Sequence, residues 1–197
     1  MSDEPQNLES RPWIIMGAGR LGRTLGLLAG RLGIPLAATW NRTDASARVT
    51  EDTLGSADTT VRSGNPVDVL ASTDSPRVVW LTVVDDAVES MARQLVPAVD
   101  AEDLVIHTSG VASSQLLRRA GLTRCHIGSI HVLQAVTDPK RAVESLGEST
   151  WSVEGDEAVV AFGRAFLGRL GVEPLVVDAS QKALYHASAV TTANLMV

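Results

Sequence analysis

The sequence is short of cysteine, of lysine and of long hydrophobic runs, and each shortage excludes something. Cys125 is the single cysteine, so no internal disulfide can form, a metal cluster lacks sulfur ligands, and a reducing, cytoplasmic location is expected. No basic-then-apolar leader is recognisable at the start of the sequence. The most apolar region, Ile14 to Ala38, is interrupted by Arg20, Arg23 and Arg31, and a bilayer would strand those charges in hydrocarbon. There is no internal repeat and no low-complexity segment. Acidic residues are sparse in one place: the net charge is −6, yet Arg11 to Arg48 holds six arginines and one acid, Asp44. That distribution suits a small anionic ligand, whereas a nucleic acid partner would need a wider basic face.

What is present alternates regularly. With 197 residues, 45% of them hydrophobic, the chain suits one generous domain or one domain with part of a second. Residues 1–10 read as a disordered tail. Trp13-Ile14-Ile15-Met16 reads as a strand buried on both faces, and Leu21, Leu25, Leu28 and Leu32 mark a helix stopped by Gly33. Leu36 to Trp40 and Val78 to Val83 read as strands, and Ala45 to Ser75 is expected to hold one helix and a short strand.

Asp85 and Asp86 are expected to cap the next helix, with Glu89 completing a capping box. Further strands are expected at Leu104 to His107, Cys125 to His131, Trp151 to Val153 and Leu175 to Val177. Helices are expected at Ser114 to Ala120, around Val159 to Leu170, and from Ser180 onward. The predicted fold is α/β: a doubly wound, mostly parallel Rossmann sheet over 11–178, followed over 179–197 by the first helix of a C-terminal helical domain. The four tryptophans fall in strands and read as core.

The chemistry is concentrated in Gly17-Ala18-Gly19-Arg20-Leu21-Gly22. This is G-x-G-x-x-G after an apolar strand and at a helix start: Gly17 for the tight turn, Gly19 for approach of a pyrophosphate, Gly22 for helix–sheet packing. Where an NAD site commonly has an acid, the second strand ends Trp40-Asn41-Arg42-Thr43. Asn41 and Thr43 offer neutral donors and Arg42 a planar cation for a 2′-phosphate, so NADP is the expected cofactor, with Val83 also lining its site. Two weaker readings stand beside this one: Arg42 as a solvated arginine, and Asp44 as the ribose ligand.

These segments, with His107-Thr108-Ser109-Gly110, Gly128-Ser129-Ile130-His131 and Gln134, and Lys182-Ala183-Leu184-Tyr185-His186-Ala187, resemble a family of bacterial Rossmann-like proteins that carry a C-terminal domain of unknown function. That family is related to pyrroline-5-carboxylate reductase and the 6-phosphogluconate-dehydrogenase-like enzymes. The resemblance implies an NADP-binding oxidoreductase with a helical C-terminal domain that lines the substrate pocket and pairs two copies. A homodimer through the C-terminal helix is therefore expected. The family usually has proline after the histidine of the Gly-Ser-x-His segment; here it is Val132.

Candidate catalytic residues follow. Ser109 lies past a strand end, where it either holds substrate oxygens or caps the next helix. Lys182 is one of two lysines, and unlike arginine it can release a proton. In related dehydrogenases a lysine with an amide four residues on contacts substrate; here His186 stands in the amide's place, on the same helical face. A solvated surface lysine is the alternative. His131 either lines the cleft or is structural. Cys125, His126 and His131 lack a metal-ligand spacing. The expected function is reduction of a C=O or C=N bond of a small polar substrate, with a non-catalytic NADP(H)-binding sensor or assembly module as the alternative.

Overall fold

The computed structural model describes residues 10–55 and 58–195. The expected tail, apart from Ser10, and the last two residues of the expected C-terminal helix lie outside the described residues. The strands are β1 (Trp13–Met16), β2 (Leu36–Trp40), β3 (Thr60–Arg62), β4 (Val78–Leu81), β5 (Leu104–His107), β6 (His126–Leu133), β7 (Thr150–Gly155) and β8 (Leu175–Val176). The α-helices are α1 (Arg20–Arg31), α2 (Asp44–Leu54), α3 (Pro66–Leu70), α4 (Asp85–Leu95), α5 (Gln115–Arg119), α6 (Pro139–Ser145), α7 (Glu157–Gly168) and α8 (Lys182–Leu195).

One sheet has the order β3-β2-β1-β4-β5-β6-β7-β8. Its first six strands run in the order of a dinucleotide-binding sheet, all parallel. β7 joins β6 antiparallel, and β8 runs parallel to β7. The expected doubly wound, mostly parallel α/β fold is present.

Side-chain alternation divides the core between the two sheet faces. Trp13 and Ile15 meet Leu25 and Leu28 of α1 and Phe162 and Phe166 of α7. Ile14 and Met16 point the other way, toward Val88 and Met91 of α4 and Leu117 of α5. The first layer is aromatic: Trp13 lies 5.1 Å from Trp80 and 5.2 Å from Phe166, ring centre to ring centre.

The structure corrects several local expectations. Helix α4 starts after Val84, with no side-chain cap, so Asp85 and Asp86 sit in its first turn and interact with its dipole instead of capping it. The polar stretch before β4 holds a second helix, α3, started by Asn65, whose side chain accepts from the Val67 amide, and by Pro66. Helix α6 was not anticipated either, although Asp138 accepts from the Arg141 amide and Pro139 takes the first turn. Trp40 packs half-buried against the core as expected, and it also lines a cleft, with its indole N–H donating to the Gly64 carbonyl at 2.8 Å. No helix among the described residues is long and apolar enough to cross a membrane.

Candidate cofactor cleft and catalytic cluster

The carboxyl ends of β1, β2 and β4 open onto a cleft of about 620 Å³, the place where open α/β sheets receive ligands. Its floor is the β1–α1 turn. Gly17 has φ +97°, and the amides of Gly17 and Ala18 both donate to the Trp40 carbonyl, at 3.0 and 3.1 Å, which ties the turn to the end of β2. A Cβ at Gly17 would stand 2.6 Å from Val83 Cγ1, and one at Gly22 would stand 2.7 Å from Thr82 Oγ1. At Gly19 the nearest atom would be the Gly17 carbonyl, 3.9 Å away, so the backbone there is open to a ligand. Gly19 caps α1 without a side chain, and no acid occupies the first turn. The amides of Arg20, Leu21 and Gly22 therefore lack intrahelical acceptors and suit an anion.

The cleft wall is cationic. Arg20, Arg23 and Arg42 line it, and among the described residues no carboxylate does. Asp44, the acid nearest the end of β2, instead accepts from the Ser63 hydroxyl. Asn41 is 2% exposed and accepts from the Thr50 hydroxyl at 3.0 Å, which leaves its Nδ2 donor without a partner at the cleft. Ala18 and Val83 also line the cleft. Two anticipated residues have other work: Thr43 Oγ1 accepts from the Ser46 amide as the cap of α2, and the Leu21 side chain packs on the core beside α1. Leu21 can offer a ligand only its amide.

Beyond the end of β5 lies a second constellation. Lys182, at the start of α8, is 2% exposed, which removes the solvated reading. Its Nζ stands 3.8 Å from Glu154 Oε2 and has no hydrogen-bond partner. Burial lowers its pKa to about 8, opposed by the Glu154 and Asp85 carboxylates. One turn on, His186 packs edge-to-face on His131, 5.4 Å between ring centres. Both rings lie over Gly110, where a Cβ would collide with His186 Nδ1 and stand 2.9 Å from His131 Nε2. Burial first, then His186 and Lys182, push the His131 pKa down to about 4.

Ser109 is buried, and its Oγ accepts from the Ala112 amide at 3.1 Å, as a turn cap does. The sequence alone gives no site role to three members of this region. His107 is fully buried, its Nδ1 accepts from the Ser109 amide, and burial followed by Lys182 lowers its pKa to about 3. Glu154 and Ser114 are the others: Glu154 accepts from the Ser114 amide at 2.7 Å and from its hydroxyl at 2.6 Å.

Comparison with known proteins follows this geometry. Residues 149–197 match the family described as Domain of unknown function (DUF2520). No curated protein matches the chain. Among solved structures, the chain is similar to a proposed NADP oxidoreductase from Bacteroides fragilis, with TM-score 0.74 and 22% identity over 96% of this chain and 69% of that one. It is also similar to prephenate dehydrogenase from A. aeolicus, solved with hydroxyphenyl propionate and NAD+, with TM-score 0.72 and 12% identity over 90% and 63% of the two chains. A pyrroline-5-carboxylate reductase from Coxiella burnetii matches with TM-score 0.60 and 14% identity over 86% and 58%. This chain thus spans about two thirds or less of the length of these solved proteins. The chain has the Rossmann-like fold of pyridine-nucleotide dehydrogenases and reductases, and its last quarter matches a domain of unknown function.

Proposed function

We propose that the chain is an NADP(H)-dependent oxidoreductase that reduces a C=O or C=N bond of a small polar substrate. The observation that carries this reading is a nucleotide-sized cleft with three arginines and, among the described residues, no carboxylate in its wall, together with a buried lysine that feels the charge of Asp85 at the start of α4. The pyrophosphate would lie on the first-turn amides of α1, over Gly19, where nothing blocks it. Arg42, assisted by the unpartnered Asn41 donor, would meet the 2′-phosphate. Bound NADPH supplies the hydride.

The chain's own residues do the rest. Lys182 gives a proton to the substrate oxygen or nitrogen, and the low-polarity surroundings that bring its pKa to about 8 make it a competent donor near neutral pH. His186 and His131 pack beside the reacting group, and each keeps a buried Nδ1 that has no hydrogen-bond partner among the described residues. Ser109 shapes the turn beneath them. The same reading divides the chain into a nucleotide-binding body over 11–178 and a helical segment over 179–197, through which two copies pair; Leu184 on α8 is 73% exposed. The free, buried thiol of Cys125 fits a cytoplasmic location.

The test is NADPH oxidation with a panel of small carbonyl and imine compounds. Lys182→Ala should slow turnover by about 10²-fold or more and leave NADPH affinity unchanged. NADPH binding with no turnover on any compound would favour a non-catalytic binding module, and normal turnover by the variant would remove Lys182 from the chemistry.

A further inference from the structure

Glu154 is a deeply buried carboxylate to which the reading above gives no task. Strand β7 runs antiparallel to β6 and sets Glu154 opposite Ser129, on the strand pair whose β6 member carries His131. The residue is 3% exposed. A carboxylate at that depth is tolerated only where hydrogen bonds and a cation offset its lost hydration. Ser114 supplies two donors, one to each oxygen, and so fixes the carboxylate's orientation. The cation is Lys182.

The spacing of this pair matters. At 3.8 Å, Nζ and Oε2 attract strongly across a dry interior yet are too far apart for a hydrogen bond. A contact pair would occupy an N–H bond of the ammonium group; at this spacing Glu154 engages none of the three. The other groups facing Lys182 are His107 on β5, His131 on β6 and Asp85 at the start of α4. Both histidines are held neutral by burial, and Asp85 is exposed to solvent. Among the described residues, Glu154 is therefore the buried charge that offsets the cost of an ammonium at this position.

We propose that Glu154, clamped by Ser114, is the positioning residue that keeps the Lys182 amine charged and its N–H bonds free for substrate. This rests on Lys182 being the proton donor. In the step itself one proton passes from Nζ to the substrate heteroatom. The lysine is left as a neutral amine, and it takes a proton back from water.

The chain has two lysines, Lys182 and the exposed Lys140, so ¹³C-lysine labelling gives two side-chain titrations with Lys140 as an internal reference. The measurement uses the full chain without nucleotide or substrate. The Lys182 midpoint is expected near pH 8, and Glu154→Gln should lower it by about one unit or more. Because that variant leaves Ser114 without its acceptor and could fail to fold, the unmodified protein labelled with ¹³C-glutamate provides a second reading: the Glu154 carboxyl signal should inflect in step with Lys182. Where turnover is found, Glu154→Gln should also move the alkaline limb of the pH profile to lower pH, and Glu154→Asp should partly restore it. An unchanged Lys182 midpoint, or a Glu154 signal flat from pH 7 to pH 9.5, overturns the proposal whatever turnover does. A lowered midpoint with normal turnover by Lys182→Ala overturns instead the donor assignment on which the proposal rests.

Discussion

Acidification from pH 7 to pH 5 should destabilise this fold through two histidines. His107 and His131 have pKa values near 3 and 4 in the folded chain, against about 6.5 in the unfolded chain. The sign follows from proton counts: below pH 6.5 the unfolded chain takes up protons that the folded chain refuses, so stability falls as pH falls. Each group costs about 1.4 kcal/mol per pH unit once its unfolded form is fully protonated, or about 2 kcal/mol each by pH 5. Together they remove about 4 kcal/mol, a large part of the roughly 5–15 kcal/mol that holds a typical domain. Most carboxylates titrate below this window.

Urea unfolding at pH 7, 6 and 5 measures the loss directly. His107→Asn, which keeps an acceptor for the Ser109 amide, should remove about half of the pH dependence (~2 kcal/mol) whatever it costs at pH 7. A stability that is flat between pH 7 and pH 5, or an NMR titration of His107 near 6.5 in the folded protein, would refute the reasoning. Lys182 acts in the same direction at higher pH. Its lowered pKa means that stability should rise with pH between about 8 and its ordinary unfolded value.

Two further outcomes are expected. Gly17→Ala combines φ +97° with a Cβ 2.6 Å from Val83 Cγ1, so it should cost about 1–3 kcal/mol of stability and abolish nucleotide binding, read by thermal unfolding with and without NADP. Cys125 is buried, and burial raises its pKa to about 11. Iodoacetamide should therefore leave it unmodified in the native protein at pH 7.5 and alkylate it in urea.

The cofactor end of the molecule was legible because its signals are local. A strand, a glycine pattern and a helix start lie within ten residues, and the arginine at the end of β2 follows one strand later. The candidate catalytic cluster is assembled from distant pieces. Glu154 occupies one position of a short strand, where an acid looks like any outward polar residue; only the antiparallel approach of β7 and the hydroxyl of Ser114 reveal it as a buried charge. Lys182 stood out by rarity, but its burial depends on how α8 packs. His107 was read as the end of a strand, and its Nδ1 contact with the Ser109 amide is a feature of the folded turn. Trp40 reads as core and packs there; that its N–H finds the Gly64 carbonyl and that it also lines the cleft depends on the folded loop. The unanticipated α6 did have a readable start, Asp138-Pro139, placed in a stretch with weak periodicity.

The central claim is that the cleft reads a 2′-phosphate with Arg42. Calorimetric titration of the protein and of Arg42→Ala with NADP and with NAD tests it most directly. NADP should bind more tightly than NAD, and the substitution should weaken NADP by about 10- to 100-fold, as loss of a charge-assisted hydrogen bond does, while NAD hardly changes. Equal affinity for the two nucleotides, or the same loss for both in Arg42→Ala, would contradict the account.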